Sequence, residues 1–421
     1  MEPRPFFSFA RVATTEVVPV LLELLTKQDE DASDDEYNVS RAAYQCLQLY
    51  SQCVGGIIIT PVLAFVEQNL RHEDWKLRDA AVSAFGAIME GPELKLLDPL
   101  VKQALPVLVG MMEDKVVIVK DSAAYALGRI CENCGPAIDA TMHLPSLISA
   151  LFAGLNDNPK MASSCCWALM NLADRFGLEV GADTNPLSAH FESSVRSLLQ
   201  ATERQVSKIL KPCFQSKTNI IIRSDADNAL RTASYEVLNS FVMNVGQDQL
   251  ATIAQLSTVI IDRLEKTVSM QNQVVSMDDK NTLEEMQTSL ASVLMSIIQR
   301  LDKEIKPQAD RIMQALLGIL TASPSSSIVP DAIFGTVGSL ANALEQEFTV
   351  YMDAFSPFLY TALGNEQEQQ LCSLAIGLVS DIARSIGEQV LPFCDTFMNY
   401  LLNNLKVSSY HGSHHKRFLP C

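Results

Sequence analysis

A dense run of acidic side chains near the start of the chain is the first group that could do chemistry. Between Gln28 and Asn38 no basic residue interrupts the acids. They are Asp29, Glu30, Asp31, Asp34, Asp35 and Glu36. Like charges at this density repel one another and hold a loop extended in solvent. The run favours either a solubilising loop or a docking loop for a basic ligand.

Cysteine and histidine offer weaker candidates. Cys131 and Cys134 form a C-x-x-C pair. No second pair accompanies them, and they lie at a predicted helix end, so a structural role is favoured. His414, His415 and Cys421 are close in sequence, but a metal site needs ordered ligands, and we expect an unstructured tail there. The sequence contains no P-loop, G-x-S-x-G or H-E-x-x-H motif. We therefore expect no enzyme, no cofactor and no metal.

Three aromatic residues form a further candidate set. Tyr37 closes the acidic run, and Tyr125 and Trp167 each follow a pair of small residues in successive predicted helices. In a repeat protein, equal register places side chains on the same surface, so Tyr125 and Trp167 are predicted to belong to one column. The column either packs in the core or stacks on Lys and Arg stems, at about 0.5–2 kcal/mol per contact.

The elements that carry these residues repeat about every 40 residues. Apolar stretches containing Pro19, Pro61, Pro106 and Pro145 are each followed by a segment rich in small residues. We expect proline in the first turn of a first helix, since its missing N–H would have no partner there. Glycine is expected to end many of the second helices. A helix pair of this length is typical of HEAT and armadillo repeats.

The predicted fold is therefore all-α, a right-handed α-solenoid of HEAT repeats over residues 1–406. It has about eight helix pairs and one further helix. The predicted pairs are 15–53, 56–90, 96–134, 144–177, 190–244, 249–301, 306–346 and 348–386, with the further helix at 389–405.

Two segments depart from the pattern. Residues 204–222 form a non-repeat insert, basic and apolar in an acidic chain, and residues 407–421 form a divergent tail. Both carry Val-Ser at or near their start, as an in-frame GTAAGT-type splice donor would encode. We hypothesise that both are translated intron. Finding both segments in the mature transcript would refute this hypothesis.

Composition narrows the class of protein. The net charge of −17 argues against a nucleic-acid partner, which requires an excess of Lys and Arg. The ten cysteines of this 421-residue chain are scattered, which predicts reduced thiols in the cytosol or nucleus. There is no secretory signal and no uninterrupted apolar run of about 18 residues, so we expect no membrane insertion.

Several stretches resemble the importin-β (karyopherin-β) family. They include T-K-Q-D-E-D-A-S-D-D-E-Y-N, D-W-K-L-R-D-A-A-V-S-A-F-G-A-I-M-E-G-P-E, K-D-S-A-A-Y-A-L-G-R-I-C-E and A-S-S-C-C-W-A-L-M-N-L-A-D. The resemblance covers nearly all of the chain apart from 204–222 and 407–421. It identifies the chain as a central fragment, from about the eighth to the sixteenth repeat, without the terminal repeats.

The resemblance implies a nuclear import receptor of the cytoplasm, nucleus and nuclear pore. Such a receptor binds the basic segment of the importin-α adaptor or basic nuclear localisation signals. It is regulated by Ran-GTP and binds phenylalanine-glycine nucleoporins. In the family, the acidic loop contacts Ran and the adaptor, and an aromatic array stacks on adaptor arginines and lysines. That array corresponds to Tyr37, Tyr125 and Trp167, with tyrosine at two positions where many members carry tryptophan. Somewhat weaker stacking is expected there.

A HEAT-repeat scaffold that assembles an enzyme complex, such as a protein phosphatase, is the alternative. Such scaffolds also lack catalytic residues, but they need neither an acidic loop nor an aromatic column on one face. Capture of the importin-α adaptor rather than a phosphatase catalytic subunit would separate the two interpretations.

Overall fold

The computed structural model consists of α-helices joined by turns and short 3-10 segments. It describes residues 8–28, 38–177, 183–209, 225–271, 274, 276–323, 327–365 and 368–414, without the side chains of 204–209, 225–227 and 405–414. Within these ranges there are eighteen α-helices and no strand. The α-helices are α1 Phe9–Val12, α2 Thr14–Leu25, α3 Val39–Val54, α4 Ile59–Asn69, α5 Trp75–Ala87, α6 Leu94–Met111, α7 Val117–Asn133, α8 Leu144–Gly154, α9 Pro159–Phe176, α10 Phe191–Ile209, α11 Asp225–Asn244, α12 Leu250–Gln271, α13 Met277–Leu301, α14 Ala309–Ala322, α15 Val329–Leu344, α16 Met352–Leu363, α17 Gln369–Ile386 and α18 Leu391–His414.

Consecutive helices from α2 to α17 pack in pairs, a first helix against a second helix, and α18 follows the last pair. The chain divides into two compact units, Met1–Asn244 and Val245–Cys421. The first unit contains the pairs from α2–α3 to α10–α11, and the second contains those from α12–α13 to α16–α17. These pairs confirm the predicted all-α fold of HEAT repeats.

Polar caps explain where several second helices begin. The side chain of Asn38 accepts hydrogen bonds from the first turn of α3, Asp74 caps α5, and Asn158 caps α9. Each cap satisfies a backbone N–H that has no partner within the helix. Gly177 and Gly387 follow the last residues of α9 and α17, as the sequence predicts.

The proline prediction holds for only part of the array. Pro145 lies in the first turn of α8, but Pro19 and Pro106 lie inside α2 and α6. The sequence prediction was wrong for these two, because the helices begin further upstream than the apolar stretches suggest. A proline removes one helical hydrogen bond and favours a bend there.

Packing within each unit runs chiefly between second helices. In the first unit α5 packs on α7, α7 on α9 and α9 on α11, and in the second unit α13 packs on α15 and α15 on α17. Small residues lie at these contacts, and Ala80, Ala81, Ala123 and Ala124 are fully buried. Their short side chains let neighbouring helices approach closely. A larger residue beside them on the same helix can then contact the helix of the next repeat.

The two irregular segments are described only in part. The predicted insert at 204–222 begins inside α10, whose described backbone continues to Ile209, and residues 210–222 lie outside the described ranges. In the tail the backbone of α18 continues to His414, beyond the predicted end at 405. Helix elongation adds one hydrogen bond per residue, and residues 406–414 contain no proline to stop it.

One stretch has the length and composition of a membrane span. Val39–Asn69 contains a window with a mean hydropathy of 1.8. In the structure, however, it is divided between α3 and α4 by a 3-10 segment that begins at Gly55, where φ is 65°. Its two helices belong to successive pairs and pack on other helices of the first unit. Within this stretch Leu47, Val54, Ile58 and Val62 are buried in the first unit.

Candidate aromatic binding face

The candidate site is built from second helices of the first unit. In α7 the buried pair Ala123–Ala124 precedes Tyr125, and in α9 the buried pair Cys165–Cys166 precedes Trp167. The small pair allows close helix packing, and the next side chain turns outward because each helical residue advances about 100°. Tyr125 is 39% exposed, and Trp167 is half-buried.

Tyr125 and Trp167 stack on one another. Their ring centroids lie 5.1 Å apart, and the ring planes differ by 21°. This offset-stacked geometry is favourable for two aromatic rings and leaves no space for a further group between them. The register argument correctly predicted that these two side chains share one surface, and the structure brings their rings into contact.

Tyr44 of α3 extends this surface, and sequence reasoning missed it. Its ring meets that of Tyr125 edge to face, with centroids 5.8 Å apart and an interplanar angle of 70°. Tyr44 follows the pair Ala42–Ala43, so the motif of two small residues and an aromatic was present in the sequence. The signal that identified Tyr125 and Trp167 therefore applies to Tyr44 as well.

The three rings, Tyr44, Tyr125 and Trp167, will be called the aromatic face. In α5 the small pair Ala80–Ala81 is followed by Val82, which is fully buried, so that helix contributes no aromatic ring to the face. Burial and the neighbouring Tyr125 raise the pKa of Tyr44 well above its usual range, so its phenol stays neutral.

A polar network supports the helices that carry the face. The guanidinium of Arg129 donates to Glu90 and to Glu132, both at 2.7 Å, and Gln48 donates to Glu90 at 3.3 Å. The Arg129 side chain is only 7% exposed. Its hydrogen bond lowers the pKa of Glu90, which keeps that carboxylate charged. The network links α3, the end of α5 and α7, and so stabilises the relative positions of Tyr44 and Tyr125.

The predicted acidic residues and Tyr37 lie outside the described residues. These are Asp29, Glu30, Asp31, Asp34, Asp35, Glu36 and Tyr37. The described residues on either side of this run, Gln28 and Asn38, are hydrogen-bonded to neighbouring backbone and side-chain groups. Gln28 donates through Nε2 to Asp79 and to the carbonyl of Lys76, whose Nζ donates in return to the carbonyl of Gln28. Gln28, which precedes the run, is therefore bonded to the first turn of α5, and Asn38, which follows the run, caps α3.

Asp79, beneath Gln28, is a buried acid. Burial raises the pKa of Asp79 to about 6, and hydrogen bonds from Ser122 and Gln28 oppose that rise. Asp79 is 4% exposed and lies in α5, which packs on α7. Its hydrogen bonds with Gln28 and with Ser122 of α7 link the residue before the acidic run to two successive repeats.

The thiols of the C-x-x-C pair give no sign of reactivity. Burial raises the pKa of both Cys131 and Cys134 to about 12, and they are not bonded to one another. A thiol with so high a pKa is a poor nucleophile and a poor metal ligand at neutral pH. Within the described part of the chain, no group of three or more His, Cys, Asp or Glu could hold a metal ion. His415 and Cys421 lie outside it.

Comparison with protein families gives two matches. A model described as importin subunit beta-1-like, TPR repeats, matches residues 146–211 and 207–421. A model of the HEAT-like repeat matches residues 75–130 and 117–172. The second model spans Tyr125 and Trp167.

Individual proteins that are similar to this chain belong to the same family. The chain is 42% identical over 400 residues to importin subunit beta-1 of Schizosaccharomyces pombe, which covers 95% of this chain and 44% of that protein. A crystal structure of importin beta in an ammonium sulfate condition superposes with a TM-score of 0.89 at 60% identity, over 96% of this chain and 44% of the other. This chain therefore spans less than half the length of these relatives.

Two similar structures were solved with partners. A Kap95:Nup1 complex has a TM-score of 0.83 at 33% identity, over 96% of this chain and 44% of the other. A structure of Kap95p with RanGDP, whose switch loops adopt the GTP-bound conformation, has a TM-score of 0.80 at 32% identity, over 95% and 44%.

Proposed function

The chain belongs to the importin subunit beta-1-like family, and we propose that it is the central part of a nuclear import receptor. In this proposal it binds the basic importin-β-binding segment of the importin-α adaptor, or basic nuclear localisation signals. It works by binding alone, without a chemical step. The proposed sites of action are the cytoplasm, the nucleus and the nuclear pore.

The observation that carries this proposal is the aromatic face. Tyr125 is 39% exposed and stacks on Trp167 at 5.1 Å, on second helices that succeed one another in the array. Exposed aromatic surface is unfavourable in water unless a partner covers it. The aliphatic stem and charged head of lysine or arginine suit such a surface, because the ring face carries negative charge density.

The acidic run supplies the second proposed element. The acids are Asp29, Glu30, Asp31, Asp34, Asp35 and Glu36, and each contributes about 1 kcal/mol at most to a basic ligand in water before screening. Added salt reduces this attraction steeply, whereas ring stacking is less sensitive. The described residues on either side of the run support a docking role, since Gln28 is hydrogen-bonded to Lys76 and Asp79, and Asn38 caps α3.

Regulation by Ran-GTP and binding of phenylalanine-glycine nucleoporins are the finer parts of the proposal. Their support is that similar structures, of Kap95p, were solved with Ran and with Nup1. The relatives are more than twice as long as this chain. We propose that this chain contributes a share of each surface.

A binding experiment tests the central claim. The chain is titrated with a peptide of the importin-α basic segment at low and at high salt. Asp34→Asn/Asp35→Asn/Glu36→Gln should weaken binding at low salt and flatten its salt dependence, and Trp167→Ala should weaken binding at both. If the charge-neutral variant binds as tightly as the parent at low salt, the acidic run is only a solubilising loop. In a parallel pull-down, preferential capture of a phosphatase catalytic subunit would favour the scaffold alternative.

A further inference from the structure

Gly128 lies in the interior of α7, one turn beyond Tyr125. Its φ is not among the positive φ values of the described glycines, which are those of Gly55, Gly91 and Gly387. Nothing in its backbone conformation therefore requires glycine. Glycine weakens the interior of a helix relative to alanine, since it has more conformational freedom to lose on folding. Its presence calls for a reason in packing.

The indole of Trp167 supplies that reason. A Cβ atom at Gly128 would overlap with Cε3 and Cζ3 of Trp167, far inside van der Waals contact. The six-membered ring of Trp167 thus lies directly on the backbone of α7, and its face lies against Tyr125. Gly128 and Tyr125 together form a notch on α7 that holds the indole from two directions.

We propose that Gly128 is a positioning residue for ligand binding: it seats Trp167 against Tyr125, so that a basic side chain meets a preformed stack. This inference rests on the proposed function. A stack that is already ordered saves the entropy of arranging two rings when the ligand binds. The planar guanidinium of arginine suits such a stack better than the compact ammonium of lysine does.

Gly377 is the matched control, since it lies in the interior of α17, a second helix of the other unit. A Cβ atom at Gly377 would meet no described heavy atom within 4 Å. Gly377→Ala therefore makes the same chemical change inside a second helix, away from the aromatic face and without displacing a ring.

The experiment uses the full chain and a synthetic peptide of alternating arginine and glycine, with a glutamate–glycine peptide as the negative control. Binding is measured at about 0.5 M salt, where exposed charge pairs are largely screened. Gly128→Ala should weaken binding of the arginine peptide about tenfold, and Gly377→Ala should stay within twofold of the parent. The lysine version of the peptide should bind more weakly than the arginine version, and Gly128→Ala should reduce that preference.

A spectroscopic measurement separates positioning from general damage. The chain has two tryptophans, so Trp75→Phe leaves Trp167 as the only indole. In that background Gly128→Ala should shift Trp167 emission to longer wavelength, since the ring leaves its seat, while far-UV circular dichroism stays unchanged. Gly377→Ala should leave the emission as it was.

A double substitution keeps the inference falsifiable even if Gly128→Ala lowers stability. Trp167→Phe removes the part of the ring that lies on Gly128, so Gly128→Ala should have no further effect on binding in that variant. An equal loss in both backgrounds would overturn the inference, and so would parent-like binding by Gly128→Ala when Trp167→Ala loses binding. Failure of the proposed function has a different signature: Trp167→Ala itself binds the arginine peptide as tightly as the parent does.

Discussion

The second helices of the two units carry different side chains at corresponding positions. In the first unit Tyr125 and Trp167 lie ten residues before Gly135 and Gly177, the glycines just after α7 and α9. In the second unit the residues ten positions before Asp302, Glu345 and Gly387, which follow α13, α15 and α17, are Ser292, Gly335 and Gly377. The same fold thus presents stacked aromatic rings in one unit and small side chains in the other.

The difference extends to the polar contacts. In the first unit the Arg129 side chain is 7% exposed and joins Glu90 and Glu132. In the second unit, neutral pairs hold the corresponding faces: Gln299 donates to Ser339 at 3.2 Å, and Ser385 donates to Asn342 at 2.7 Å. Neutral, exposed hydrogen bonds suffice to join neighbouring helices. The buried charge and the aromatic rings of the first unit therefore go beyond what the fold alone requires, which is the pattern expected of a binding surface.

The largest effect should follow from removing the indole. Trp167→Ala should lower the free energy of unfolding by about 3 kcal/mol, because the ring packs on Tyr125 and on the backbone of Gly128. Urea titration followed by circular dichroism measures the loss. Ser292→Ala, at the corresponding position of α13 in the second unit, should cost far less, since the small Ser292 side chain donates a hydrogen bond to the Thr288 carbonyl of its own helix. Equal costs at the two positions would remove the distinction between the units.

The second prediction concerns pH. Burial raises the pKa of Asp79 to about 6, against about 3.9 for an unfolded chain. The folded state therefore favours the protonated form, and wild-type stability falls as the pH rises from 4 through 6. The amide in Asp79→Asn does not titrate. The free energy of unfolding of this variant minus that of the wild type should therefore be about 2–3 kcal/mol larger at pH 8 than at pH 4.

Asp331 of the second unit provides the comparison for that prediction. Burial and the nearby Glu368 raise its pKa as well, but it is only partly buried. Asp331→Asn should show a change in the same direction and of smaller size. Unfolding of both variants and the wild type across pH 4 to 8 measures this, and a pH-independent difference for Asp79→Asn would contradict the argument.

A third prediction addresses the buried charge. Arg129→Met should cost about 2 kcal/mol of unfolding free energy, since it removes two charge-assisted hydrogen bonds from a nearly buried group. Arg384 of α17 is 76% exposed and pairs with Asp381. Arg384→Met should change stability by less than about 0.5 kcal/mol. Comparable losses would show that the two units rely on arginine equally.

The smallest expected effect is a gain. Gly377→Ala should raise stability by about 0.5–1 kcal/mol, because the residue is inside α17 and its Cβ would meet no described atom. Binding of basic peptide should be unchanged. Gly128→Ala should lower stability and weaken binding of the basic peptide, and thermal unfolding and peptide titration of the two variants side by side test the contrast.

Local sequence pattern predicted much of the fold. The helical repeat of apolar residues and the turn residues mark helix pairs, since they depend on interactions within a few residues. The proline signal was less informative. Pro106 lies well inside α6, which begins at Leu94, because packing against neighbouring helices compensates for the lost hydrogen bond.

The candidate site was predicted less completely. Tyr125 and Trp167 were found because each follows a pair of small residues, and Tyr44 was missed although it follows such a pair too. The acidic run and Tyr37 lie outside the described residues, so their roles stay predictions. Nothing near Asp79 in the sequence distinguishes it from an exposed acid, since its burial depends on Gln28 and Ser122, which are distant along the chain.

The sequence by itself determined the helical repeat, the family resemblance and the register that places Tyr125 and Trp167 on one surface. These follow from period, composition and turn chemistry, which act over short separations along the chain. Only the tertiary structure decided that the two rings stack, that Tyr44 meets Tyr125 edge to face, and that the indole lies on Gly128. Each of those facts depends on the distance between helices of successive repeats, and that distance is set by close packing of side chains from about forty residues apart.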